Sequence, residues 1–193
     1  MELSSESLVL RMPARDDVPS LVRMCADPLI VRYTSVPDPY PESAAIAYID
    51  EVIPAWWASG RKRVWFIARH SDPATMMGMV DLFDIDRRTG EAAVGYWLGR
   101  EFRGAGVMAE CLAAVVAHAF APPVAGGLGL TRIRWQAAAE NVPSWRVAER
   151  IGFTLDGVHP AALLQRGQAV DAVLAHLDNP LTAASVTAIA DED

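Results

Sequence analysis

From Ser7 to Leu177 the chain alternates between stretches of strand period and stretches of helix period. Ser7-Leu8-Val9-Leu10-Arg11-Met12 alternates and predicts a first strand, which Pro13 ends. Ala14-Arg15-Asp16-Asp17 predicts a helix start with acids in its first turn, running to about Ala26. Pro28, Pro37, Pro39 and Pro41 predict a loop from Asp27 to Pro41. A second helix is expected from about Glu42 to Ala58. Lys62 to His70 reads as a strand with Val64, Phe66 and Ala68 on one face. Ser71-Asp72-Pro73 turns into a hairpin partner from about Thr75 to Asp84, and residues 86–90 turn again into a strand from Glu91 to Leu98. A long helix follows over 106–120. A proline- and glycine-rich loop leads to a strand over 131–138, a short helix through Arg150, and two final strands at 154–158 and 169–177. The predicted order is β-α-α-β-β-β-α-β-α-β-β: an α/β (α+β) fold with about seven strands in a mixed, twisted sheet flanked by about four helices.

Composition narrows this picture. With 193 residues, 52% apolar and 21% charged, the chain is sized for one packed domain over about 1–180. The acidic tail 181–193 is expected to fray. No apolar run reaches the roughly 18 residues that span a bilayer, and the polar start Met1–Ser7 does not read as a signal peptide. No membrane association is expected. The net charge of −7 and the lack of a basic stripe argue against a nucleic-acid partner. The basic residues are 16 Arg and the single Lys62, a bias that fits a GC-rich bacterial genome. Cys25 and Cys111 sit among apolar neighbours and predict buried free thiols in a reducing cytoplasm. His70, His118, His159 and His176 are scattered, so no metal is expected.

The candidate chemistry centres on residues 95–109, Gly95-Tyr96-Trp97-Leu98-Gly99-Arg100-Glu101-Phe102-Arg103-Gly104-Ala105-Gly106-Val107-Met108-Ala109. A strand runs into a glycine turn that opens a helix. Such a turn leaves backbone N–H groups pointing outward at the positive end of the helix dipole, which makes an anion site. Gly104, Ala105, Gly106, Val107 and Met108 are the expected phosphate contacts. The same residues fit a dinucleotide fingerprint, but that reading needs an acid about 20 residues on. Gly126 to Arg132 supplies none. An ordinary glycine turn with no ligand stays open on the glycines alone.

The next segment shifts the balance. Asn141-Val142-Pro143-Ser144 follows a strand and opens a helix that closes on Ile151-Gly152-Phe153. Together with the G-Y-W-L and E-F-R-G-A-G runs, these pieces resemble the GNAT superfamily of acyl-CoA N-acyltransferases, over about residues 8–177. The similarity is to its RimJ/RimL-type, ribosomal-protein alanine acetyltransferase branch. The resemblance implies the GNAT fold and acetyl-CoA, or another acyl-CoA, as acyl donor. It implies an amine acceptor, either a protein N-terminus or a small molecule, and a monomer or homodimer.

It also implies roles for single residues. Backbone groups near Trp97 and Leu98 would pair with the pantetheine arm, Trp97 being otherwise a core aromatic. Arg103 would meet the pyrophosphate through its guanidinium or only through its backbone. Asn141 would bind pantetheine, where the plain alternative is a turn residue. Ala148 stands where many relatives carry a tyrosine acid, so Ser144 is the expected proton donor to the leaving sulfur; the alternative is a helix-start serine. Ala93 stands where many carry a glutamate base, and Glu91, on the same strand face, could act through a water. Asp81, Asp84 and Asp86 are further candidates for the base, each reading otherwise as a solvated hairpin-end acid. Trp56, Trp57 and Trp65 either border an acceptor pocket or pack in the core. A non-catalytic CoA-binding sensor or scaffold, lacking a base, is the alternative to an enzyme.

Overall fold

The computed structural model describes residues 1–181, so most of the expected acidic tail, residues 182–193, lies outside the described residues. Eight strands form one sheet: β1 (Leu3–Ser4), β2 (Leu8–Arg11), β3 (Arg63–Arg69), β4 (Gly78–Asp86), β5 (Glu91–Leu98), β6 (Arg132–Ala138), β7 (Thr154–Gln165) and β8 (Gln168–Asp178). Their order is β1-β2-β3-β4-β5-β6-β8-β7. Every pairing is antiparallel except β5 with β6. One strand exceeds the sequence expectation: β1 is two residues long, too short for periodicity to reveal.

The helices are α1 (Val18–Cys25), α2 (Pro28–Tyr33), α3 (Glu42–Ala47), α4 (Ile53–Ser59), α5 (Val107–Phe120) and α6 (Val142–Ile151). The stretch expected to be a proline loop contains α2. Pro28 sits in its first turn and the Asp27 carboxylate accepts from the amides of Leu29 and Ile30, at 2.8 and 3.3 Å. Those are the two standard devices for starting a helix. The second expected helix is continuous over 42–59, with a π turn at Tyr48–Val52 between α3 and α4. Pro54 lies at the exit of that turn, where its missing N–H is best tolerated. The final hairpin is longer than expected, with Arg166-Gly167 as its two-residue turn at φ 47° and 77°.

The sheet separates two cores. On one face α5 and α6 pack on Trp65, Ile67, Val80, Leu82, Val94 and Ile133. On the other, α1 to α4 cover Val64, Phe66 and Met79. Strand β3 is thus buried on both faces, which is why it reads as a nearly unbroken apolar run. The helices α1–α4 cover only the β2–β4 half of their face. Over β5, β6 and β8 the same face carries Glu91, Arg132, Arg134 and His176 and forms a cleft.

Candidate active site

The register of β5 makes a slot. Against β4 it is paired from Ala93 to Leu98, but against β6 it pairs only from Glu91 to Ala93, with Arg132 to Arg134. Beyond Val94 the two parallel strands separate. The carbonyl of Trp97 is directed at β4, where an added Cβ on Gly78 would lie 2.3 Å from it. Alternation then turns the backbone groups of Tyr96 and Leu98 toward the opening. Of the two residues expected there, Leu98 lies on the open edge, with its carbonyl accepting from Arg103 Nε at 2.9 Å. Trp97 faces β4 with its backbone, and its ring packs with the α1–α4 core. Tyr96 lies on the same open edge, and nothing local in the sequence marks it out.

Past the slot lies the glycine turn. Gly104 and Gly106 have φ of 81° and 79°, in the region that favours glycine, and a Cβ on either would meet nothing within 4 Å. Gly104, Ala105 and Gly106 are exposed. The first α5 hydrogen bond runs from Glu110 N–H to the Gly106 carbonyl, so the amides of Val107, Met108 and Ala109 are the free donors of the helix start. The side chains of Val107 and Met108 point into the core, so only their backbone could serve a ligand. The Arg103 guanidinium has two protein partners, the Leu98 carbonyl and Asp27 at 3.3 Å. This open cradle fits a phosphate through backbone donors, with Arg103 bracing the turn.

The start of α6 borders the slot from the α5 side. Asn141 is its N-cap residue yet makes no side-chain cap bond, and among the described residues its side-chain amide has no hydrogen-bond partner, which leaves it open to a ligand. Ser144 lies in the first turn. Its carbonyl accepts from the Tyr96 hydroxyl at 2.8 Å, and its own hydroxyl lies against the same phenol. Burial pushes the Tyr96 hydroxyl up to about 12, so it remains a donor throughout the neutral range. Ala148, where many relatives carry a tyrosine, is fully buried in the core.

The opposite side opens into the cleft, about 1020 Å³ in volume. The hairpin tip closes one end: Arg166 donates to the carbonyls of Val31 and Val36 at 2.6 and 2.7 Å, and Gln165 donates to Arg32. Glu91 lies at the far end of β5, half-exposed, 3.4 Å from Arg134. Trp56 lines the cleft, whereas Trp57 packs edge-on against fully buried Trp65 at 5.3 Å. Both cysteines are buried and free, and burial pushes Cys25 up to about 12.

Asp81 is not the solvated acid expected from its place near a hairpin. It is 7% exposed, stands directly opposite Gly95, and is 2.6 Å from Lys62 Nζ. Burial raises its carboxyl, and Lys62 acts against that rise. An acid between Val80 and Leu82, in a strand apolar on both sides, was the signal that could have found it. Among the described residues no group of His, Cys, Asp and Glu could hold a metal ion, and no helix is long and apolar enough to cross a membrane.

Comparison with known proteins bears on this geometry. A family model described as "Acetyltransferase (GNAT) domain" matches residues 7–154. The putative ribosomal N-acetyltransferase YdaF of Bacillus subtilis is 30% identical over 131 residues, 68% of this chain and 69% of its own. An uncharacterized N-acetyltransferase, p20 of Bacillus licheniformis, is 25% identical over 88% of this chain and 91% of its own. The structure of Mycobacterium smegmatis RimJ in complex with CoA-disulfide superposes with a TM-score of 0.81 at 20% identity, covering 96% of this chain and 95% of that one. RimL, a ribosomal L7/L12 alpha-N-protein acetyltransferase in complex with coenzyme A, gives 0.77 at 22% identity over 90% and 95%.

Proposed function

This chain belongs to the GNAT acetyltransferase family, and from that premise we propose that its acceptor is the free N-terminal amine of a protein or peptide and its donor acetyl-CoA. That it is an acyl-CoA-dependent N-acyltransferase follows from the family and its relatives. The observation that carries the finer reading is the slot between β5 and β6, open at one end to the glycine turn and on one face to the large cleft.

Each part has a task in this reading. The amides at 104–109 hold the pyrophosphate. The backbone edge at Tyr96 and Leu98, together with the Asn141 amide, lines the arm. The Ser144 hydroxyl donates a proton to the departing sulfur, and the Tyr96 hydroxyl fixes the helix start that carries it. The cleft over β5, β6 and β8, about 1020 Å³ in volume, has room for the first residues of a peptide. The name of the YdaF relative points the same way. Two buried free thiols fit a cytoplasmic setting. The sensor alternative rested on the alanines at 93 and 148, and the cleft offers Asp81 and Ser144 in their stead.

Release of CoA thiol from acetyl-CoA, measured with peptides bearing free or blocked N-termini and with small amines, tests this. Turnover is expected with free N-termini and none with blocked ones. Tight CoA binding with no thiol release on any peptide, or turnover confined to small amines, would overturn the acceptor assignment.

A further inference from the structure

We propose that Asp81 is the catalytic base of this enzyme, receiving the acceptor's ammonium in the cleft, and that Lys62 is the counter-ion the ammonium displaces. The inference rests on the acyl-transfer reading and deepens it at one site.

The donor's phosphates sit beyond Leu98, at the glycine turn, so its reactive end lies at the other end of the slot, where β5 and β6 rejoin at Ala93 and Arg134. Gly95 is the last position before that junction whose face is turned to the cleft. Asp81 is its cross-strand partner, and a Cβ on Gly95 would lie 2.7 Å from Asp81 Oδ1. The missing side chain in the G-Y-W-L run therefore makes room for the carboxylate beside the slot. Glu91 is four residues further along β5, roughly 13 Å away, and is engaged with Arg134.

Lys62 is placed to yield. Its Nζ is 4.3 Å from the Trp56 ring centroid and 5.5 Å from that of Phe83, so two aromatic faces can keep the ammonium when a second cation takes the carboxylate. Other groups that face Asp81 are the Gly95 amide on β5 and the Tyr48 hydroxyl, whose ionisation burial and Asp81 both oppose. Lys62 stands against it from the entry to β3. Asp84, Glu91, Arg132, Arg134, Asp156 and His176 line the cleft further along.

The step balances. An acceptor R–NH3+ gives one proton to the Asp81 carboxylate. The free amine then forms the C–N bond as the C–S bond breaks. The second nitrogen proton passes to the sulfur by way of Ser144, and Asp81 returns its own proton to water when the amide leaves. Burial, which raises the Asp81 carboxyl, narrows the gap to the amine and makes the transfer easier.

The test uses the full chain with acetyl-CoA and a free-N-terminal peptide. Asp81→Asn is expected to lower kcat/KM by roughly a hundred- to ten-thousand-fold and to abolish the acidic limb of the pH profile. CoA affinity by calorimetry and melting temperature should change little. Lys62→Met keeps the carboxylate but removes the cation that favours its ionised form, so the acidic limb should move to higher pH. Loss of CoA binding by the wild-type protein would instead indict the donor-site reading. The assignment of Asp81 falls if Asp81→Asn keeps near-wild-type turnover or loses CoA binding, if Lys62→Met leaves the limb in place, or if Glu91→Gln removes the limb and Asp81→Asn does not.

Discussion

Ser144 combines a fixed backbone with a hydroxyl that borders the cleft, the combination a proton donor needs. Its carbonyl is held by Tyr96, and its Oγ lies beside the same phenol. Ser144→Ala should lower kcat by roughly ten- to a thousand-fold, as loss of one transition-state hydrogen bond does. CoA affinity should stay within about twofold, since the phosphate and arm contacts do not use the hydroxyl. An equal loss of CoA affinity, measured by calorimetry, would assign Ser144 to binding. Part of this site was legible at the residue scale: Asn141, Ser144 and the glycines announce themselves as polar or flexible residues at a strand-to-helix junction. Asp81 shows only as an acid in an apolar strand, and Lys62 and Tyr96 give no signal of their own. Their roles depend on which residue lies across the sheet, and on one strand leaving another at Val94, which no local pattern encodes.

The start of α5 is where local sequence speaks most directly for function, and its glycines can be tested with their strain matched. Gly106 and Gly126 have nearly the same φ, 79° and 80°, and a Cβ at either meets nothing within 4 Å. Gly106→Val and Gly126→Val should therefore each cost about 1–2 kcal/mol of stability through the left-handed backbone. Only the first should weaken CoA binding, by tenfold or more, because only there does a side chain enter the phosphate cradle. Equal CoA affinities for the two variants would remove the turn from the donor site. The same helix anchors the amino terminus. Glu110 accepts from Ser5 Oγ at 2.7 Å and from the Ser7 amide at 2.8 Å. Burial by itself would raise its carboxyl, but these bonds and the nearby Arg69 outweigh that and hold it below its ordinary value. A depressed carboxyl adds stability above its unfolded pKa of about 4.3 and loses it as pH falls through the lower folded value. Glu110→Gln should thus melt earlier than wild type at pH 7, by about 1 kcal/mol. The two melting curves should draw together between about pH 5 and 3, and a gap that widens on acidification would refute the linkage. Among the elements, the long periodic ones were readable and the short ones were not. Helix α2 forms on the Asp27 cap and Pro28 inside a stretch that composition marks as loop, and β1 exists because Glu110 and β2 hold it.

For the whole molecule, the sheet is two half-sheets joined through backbone over the short stretches Gly90–Ala93 and Thr131–Arg134. The halves also meet through the helix cores, the Tyr96–Ser144 bond and the clasp of the hairpin tip on α2. A donor arm lying in the slot would supply the hydrogen bonds that the separated strands forgo, and so would act as a removable strand between them. Ligand binding to the folded state alone stabilises it by about 2.7 kcal/mol at a concentration of 100 Kd. For a chain of this size that is a rise of roughly 5–11 °C in Tm. Any tight ligand would produce such a shift, so the location of the effect is the decisive reading. Alternation leaves the amides of Tyr96 and Leu98 facing the slot, while those of Gly95 and Trp97 are engaged by β4. Without ligand, hydrogen exchange should be fast at 96 and 98 relative to 95 and 97, and saturating CoA should slow it at 96 and 98 while changing 95 and 97 little. A CoA-induced rise in Tm with no new protection at Tyr96 or Leu98 would place the donor outside the slot. The division of the sheet would then be a feature of the fold that the donor does not use.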